Sequence, residues 1–531
     1  MAYQGYAAPI LVGTDGLTGS QNLDALSPGQ LLQATNLTYE SGSLQKEGGA
    51  AKFNAASFGA TTIVLAGADW WPNPTTQYTL VYLSDGTVRR DNDGSGAFAT
   101  TMTSAALPHR PFPIFLAGGQ EAAARPRKLF VLTGQAPIQV ITDGSAIMTG
   151  LALPPIDWSG SNQPSTADIH LGRLWCAGNA NDPHRVYYST IENHEDFQSA
   201  GTGSLSIFPG EGEGIVQLLS FKGLLLIFKS PAGVYAADTR DANVINWGRS
   251  RLSNTVGGVS ASCAVQLEND VLFWGNGGQI QLLSGIQEYG LIGMRSLSQQ
   301  AFLLPLLRAA IDFTQISQIR CVYYSAKREA HFVAPGKVSG LIDQRLVVDF
   351  AAVNARFRLS DRDTCPALWL RKDATMVQRP TIGDYAGTVW LLDQAARDKN
   401  GAAYTSTFQT PWLDFSFLDP SLGYKRKNAQ FLEVVHSSDI VPSTLYTDMY
   451  WDGRYVETVS VPLAPYGAVL GVFVVGTDSL ASAAIQSPRV ELHGGGKRCS
   501  MIFRHNDPTA NFNISRVFVE FSVSDERGTN A

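Results

Sequence analysis

His194-Glu195 opens the His-Glu-x-x-His pattern of a zinc protease, but Gln198 stands where the second imidazole is needed. Eight histidines are scattered, and the closest pair, His184 and His194, lacks metal-ligand spacing. Asp91-Asn92-Asp93-Gly94-Ser95-Gly96 has the acidic spacing of a calcium loop without its closing bidentate Glu, so it reads as a polar turn. Ser84-Asp85-Gly86-Thr87 reads as a hairpin turn. A glycosidase needs two carboxylates roughly 5 to 10 Å apart across a cleft, and Glu195 with Asp196 offers only proximity in sequence. Glu211 and Glu213, in Pro209-Gly210-Glu211-Gly212-Glu213-Gly214, form the densest acidic cluster among glycines and read as a loop. Neither a GxSxG elbow nor a GxxxxGK[ST] phosphate loop occurs. Catalytic, cofactor-binding and metal-binding residues are therefore all assigned as none.

The frame around these residues is all-β. Charged residues are only 16 % of the 531, with 51 Gly and 10 % aromatics, which suits short strands and tight turns. Strand-turn-strand units recur, the clearest being Tyr78 to Leu83, Ser84-Asp85-Gly86, then Thr87 to Arg90. Their first members start near 78, 128, 173, 224, 271, 321 and 381. A spacing of about 50 residues matches one four-stranded blade of a β-propeller, and the units at 321 and 346 together make one whole blade. About seven blades are expected over 57–400. Residues 401–531 hold seven short strands, including Val469 to Val475, enough for a β-sandwich platform. Residues 1–56 are expected to close the ring or join the platform. Ser298 reads as the N-cap of one helix, with Phe302, Leu303, Leu306, Leu307, Ala310 and Ile311 as its buried stripe and Pro305 forcing a kink or a late start.

Forty basic and 46 acidic residues give a net charge of −6, without the basic footprint of a nucleic-acid binder. Cys176, Cys263, Cys321, Cys365 and Cys499 lie far apart, which predicts buried, reduced thiols. The N-terminus reads as lacking a signal peptide, and no apolar run is long enough to insert in a membrane.

Two stretches carry a resemblance. In Gly29-Gln30-Leu31-Leu32-Gln33-Ala34-Thr35-Asn36-Leu37 and Ser41-Gly42-Ser43-Leu44-Gln45-Lys46-Glu47-Gly48-Gly49, the pattern A-x-N leads into G-x-L, with Glu47 where Arg is usual. The second comprises Arg185 to Ser189, Glu195-Asp196-Phe197, Gly210 to Ile215, Leu218, Phe221 to Lys229 and Gly233-Val234-Tyr235. Together they resemble the tail nozzle (tail hub, or tubular) proteins of short-tailed bacteriophages. The resemblance implies a propeller with a sandwich platform, made in the host cytoplasm and built into the virion. It implies a homo-hexameric ring at the distal end of the tail. Its partners would be the tail adaptor or connector, tail fibre, tailspike or needle proteins, and genomic DNA passing without specific binding. The alternative is a carbohydrate-binding or glycoside-hydrolysing tail-associated propeller, in which some of the ten Trp, such as Trp70-Trp71, stack on sugars. If the platform makes most of the ring contacts, deleting 403–531 is expected to leave a folded propeller.

Overall fold

The hairpins form where Asp, Asn and Gly supply the backbone freedom that tight turns need. Lys222-Gly223 and Asp452-Gly453 have positive φ at both residues, the geometry that matches strand twist in two-residue hairpins. The computed structural model describes residues 5–20, 26–40, 42–111, 113–118, 127–211, 214–288, 291–373, 376–437, 441–463 and 485–524. Ser41, Glu213 and the strand expected over Val469 to Val475 lie outside them.

Six separate four-stranded antiparallel sheets act as blades. Five are continuous in sequence, over 64–101, 114–150, 166–206, 215–253 and 264–296. Between the fifth and the last lies one more four-strand run, over 320–360, but it is one end of a nine-stranded sheet rather than a free-standing blade. This is the physical reason that a count of about seven repeats meets six separate sheets. The first strand of each unit is innermost. Each packs beside the next, and Ala367–Lys372 returns to Val64–Asn73 to close the ring. The last blade takes its outer strand, Gly49–Lys52, from the N-terminal segment, with Trp390 opposite Lys52. Closing the ring with strands from both ends of the propeller ties the first and last blades together.

Period-two alternation builds the core between blades. In Thr76–Leu83, Leu80 and Tyr82 face the second blade, while Val81 and Leu83 face the last. Each such buried aliphatic side chain contributes about 1.5–3 kcal/mol. The nine-stranded sheet continues from Arg356–Ser360 through Gln33–Thr35 to Ser406–Gln409, Cys499–His505, Ser443–Trp451 and Arg454–Leu463. A second sheet, centred on Arg426–Ser437 and Asn513–Ser524, covers its platform half. Phe408 stacks on Phe503 within the first sheet, and Phe415 meets Phe521 of the second, each at 4.5 Å between ring centroids. One core runs through both bodies, from Trp274 and Phe332 of the propeller to Phe408, Val434 and Phe521 of the platform.

The expected single helix is two short ones. Ser296, not Ser298, is the N-cap of Leu297–Gln300 and accepts from the Gln299 amide. The second helix starts late, at Leu304–Ala310, because Pro305 fits only its first turn. Phe302, at positive φ between them, is exposed, so it leaves the buried stripe of Leu303, Leu307 and Ile311.

Burial also sets an acid response. Burial holds His170 and His505 at about 4, although Asp238 opposes the shift at His170; Lys46 reinforces it at His505. Their neutral forms contribute stability that is complete above pH 6.5 and is lost as pH falls toward 4. The slope is at most about 1.4 kcal/mol per pH unit for each. Burial raises Asp168 to about 6 against amide hydrogen bonds from Ser220 and Ile169, so its contribution runs the opposite way, growing as pH falls from 6. Urea titrations at pH 7 and pH 4.5 should show lower stability at pH 4.5. His170→Gln should flatten that dependence.

Candidate functional site

The first motif stretch lies at the junction between propeller and platform. Asn36 adopts a left-handed backbone (φ 57°), which Asn tolerates better than most residues. Its amide group donates to Asp361 Oδ1 at 2.9 Å and to the Thr405 carbonyl at 2.8 Å, and its Oδ1 accepts from Ser360 Oγ at 3.1 Å. One side chain thus links the N-terminal segment, the end of the 320–360 unit and the entry to the platform. The closing glycine of the motif is required by contact: a Cβ on Gly49 would sit 2.3 Å from the carbonyl oxygens of Ala396 and Asp398.

Glu47 is buried in an ionic network. It accepts from Arg345 Nη1 at 2.9 Å and lies 3.8 Å from Arg362 Nε. Arg345 also donates to Ser360 Oγ and to His331 Nδ1, and pairs with Asp363 at 3.6 Å. Arg358 grips Glu329 with two bonds of 2.9 Å, and His331 Nε2 meets the same carboxylate at 3.1 Å. Lys399 reaches Asp363 at 3.1 Å. Burial alone would raise the Glu47 carboxyl, but Arg345, Arg362 and Arg358 overcome it and hold it at about 2. Glu329 is likewise held well below the carboxylate range by Arg358 and His331 against its burial. These carboxylates are permanently ionised and engaged, which makes them structural ties rather than proton-transfer groups.

The second stretch forms much of the third and fourth blades. Buried Lys229 donates to the carbonyls of Ile207 at 2.7 Å, Phe208 at 3.0 Å and Glu211 at 3.0 Å, and meets His184 Nδ1 at 3.2 Å. It clamps the base of the acidic loop, whose Glu211 side chain pairs with Arg251. Lys229→Met should release this loop. Limited proteolysis is expected to cut near 207–214 faster, with a stability loss of about 1–3 kcal/mol. Unchanged cleavage would remove the clamp role.

The other sequence candidates do not converge. Glu195 pairs with Lys128, while Asp196 accepts the Gln198 and Ser199 amides at 3.0 Å, so the two carboxylates serve separate contacts. His194 is buried beside Phe130. Asp93 closes a turn on Ser95, and Asp91 accepts from the Gly96 amide at 3.2 Å. Asp85 does the same for Thr87. Seven of the ten Trp are buried, including Trp70, and Trp71, Trp390 and Trp412 are half-buried. All five cysteines are buried free thiols. Among the described residues no group of three or more His, Cys, Asp or Glu is placed to hold a metal, and no helix is long and apolar enough to cross a membrane.

Two cavities lie along the propeller axis, lined by the innermost strands and their approaches. One of about 240 Å³ includes Arg110, Ile114, Ser262 and Arg320 in its lining. The other, of about 520 Å³, shares Ile114, Ser262 and Arg320 and adds Trp369 and Gln378. No Asp or Glu among the described residues lines either one. The sequence contained no signal for this site, because its lining is gathered from short stretches of several separate units.

The chain matches no family model and no curated protein. Among solved structures, it is similar to the computationally designed protein Ika8, at 12 % identity over 64 % of this chain and 99 % of that one, with a TM-score of 0.37. The WD40 repeats of RRP9 are similar at 8 % identity over 66 % of this chain and 99 % of that one, with a TM-score of 0.40. The propeller assignment rests on the strand order and ring closure of the chain itself.

Proposed function

We propose that the chain is a structural virion protein, the nozzle or hub subunit at the distal end of a short phage tail. Six copies form a ring around the channel through which DNA is held and ejected. The observation that carries this reading is the place of the first motif stretch. The stretches 29–37 and 41–49, which resemble the opening of the tail nozzle proteins, lie in the segment that supplies strands to both bodies, and they carry the Asn36 and Glu47 ties. A subunit that transmits load between two rings of contacts needs this kind of rigid connection. The absence of paired carboxylates from the lining of the axial cavities, among the described residues, gives the glycosidase alternative no support there.

The DNA path lies between subunits on this reading. Axial cavities of about 240 and 520 Å³ do not admit a duplex whose major groove alone is about 12 Å wide. A subunit of net charge −6 offers little counterion release, so the duplex slides rather than sticks. The purified chain is expected to bind duplex DNA weakly even at low salt, measured by fluorescence anisotropy. Tight binding that falls steeply with salt would contradict the low-friction conduit. Immunogold labelling of particles with an antibody against this chain should mark the distal tail tip. Particles left unlabelled after mild denaturation of the tail would remove the virion assignment.

A further inference from the structure

We propose that the loop Asp91-Asn92-Asp93-Gly94-Ser95-Gly96 binds one calcium ion between the carboxylates of Asp91 and Asp93, and that the ion clamps the seam where the ring closes. Asp91 ends the third strand of the first blade, Val88–Asp91, and is 1 % exposed. Its Oδ2 accepts from the Gly96 amide at 3.2 Å, while its buried Oδ1 receives no hydrogen bond. Asp93 accepts from the Ser95 amide at 3.0 Å and from the Ser95 hydroxyl at 2.6 Å, both at Oδ1. The two carboxylates are neighbours within hydrogen-bonding reach of each other. Burial, and with it the contact with Asp93, pushes the Asp91 carboxyl up against the pull of the Gly96 amide.

Two carboxylates share one place only with a proton or a cation between them, and a buried carboxylate oxygen without a donor is costly. Calcium is a hard cation that takes about six to eight oxygens from carboxylates, carbonyls and water in a flexible geometry. The two charges nearest the loop do not replace it. Arg371 stands behind Gly94, where an added Cβ would lie 3.3 Å from Nη2, but its Nε donates to Thr79 Oγ1 at 3.0 Å and its guanidinium lies over the Phe53 ring. Arg90, on the opposite face of the strand, donates to Asn92 Oδ1 at 2.6 Å, so Asn92 orders the loop rather than joining the ligands. Neither arginine makes an ion pair with Asp91 or Asp93 among the described residues. The position of the loop gives the ion its role. Gly96 accepts from the Ala55 amide at 3.0 Å, and Phe98 meets Phe53 and Phe58 edge to face. Those partners follow Gly49–Lys52, the outer strand of the last blade, so the loop joins the first blade to the last. The site is independent of the tail reading.

The test is equilibrium dialysis of the chelator-treated full chain against radioactive calcium, at ionic strength held constant, together with thermal unfolding with and without the ion. One calcium per chain is expected, with a Kd on the order of 0.1–1 mM, and a higher Tm in its presence. Asp93→Asn keeps an acceptor for Ser95 and removes only charge, so it should fold and weaken binding on the order of 10-fold or more. Asp91→Asn should abolish the calcium response while leaving the calcium-free Tm unchanged or higher, because it relieves the repulsion between the two carboxylates. Asp85→Asn, in an exposed turn whose single carboxylate accepts from Thr87, should bind calcium as the parent does. No saturable uptake up to about 10 mM, equal affinity of the Asp93→Asn and Asp85→Asn variants, or an equal rise in Tm with sodium at the same ionic strength would overturn the proposal.

Discussion

Arg345→Met is expected to destabilise the chain by about 3–5 kcal/mol, because it removes one partner from a buried ionic network and leaves the others undercompensated. Arg345 touches Glu47, His331, Ser360 and Asp363, and its side chain is 1 % exposed. Methionine fills a similar volume, so the loss comes from charge and hydrogen bonding rather than from a cavity. Arg362 at 3.8 Å from Glu47, and Lys399 on Asp363, keep the loss within that range. Urea unfolding followed by tryptophan fluorescence measures it. Glu47→Gln in the Arg345→Met background should cost less than in the parent chain, since the two residues share one contact. A loss under about 1 kcal/mol for Arg345→Met would mean that the network holds nothing that solvent could not replace.

Deleting residues 403–531 is expected to give insoluble protein, not the free propeller that the sequence alone suggested. The platform strand Ser406–Gln409 covers Gln33–Thr35, and its removal opens a sheet edge. The same deletion strips Phe408, Val434, Phe503 and Phe521 from a core that they share with Trp274 and Phe332. A large apolar face beside an unpaired strand edge favours aggregation. The fraction recovered in the supernatant after expression measures this directly. A soluble, monomeric product with the β-sheet circular dichroism of the parent would contradict the shared core.

The blades were legible because their signals are local. Asp85-Gly86 fixes one hairpin, and the alternation in Thr76–Leu83 fixes which side chains face which neighbour. The unit at 320–360 was read as one blade from its two hairpins, but its fusion to Gln33–Thr35 was not, since that pairing joins residues more than 300 positions apart. The junction left a partial trace. Glu329 with His331, and Arg356 with Arg358, place charges at alternate positions of strands, where apolar residues belong if no partner waits. Their direct partners lie within the same unit, Arg358 on Glu329 and Arg356 on Asp349, whereas Glu47 reaches the network through Arg345 from 298 positions away, so the trace could mark a buried network but not complete it. Ser298 misled because Ser296, two residues earlier, offers the same capping chemistry. The axial arginines left no trace, being single residues at the starts of separate units.

Cryo-electron microscopy of the intact particle containing this chain tests the central claim most directly. The account predicts six copies in a ring at the distal end of the tail, with a continuous channel between the subunits and each propeller joined to its platform through the nine-stranded sheet. A particle without the chain, or with copies attached singly to the outside and no channel between them, would contradict it.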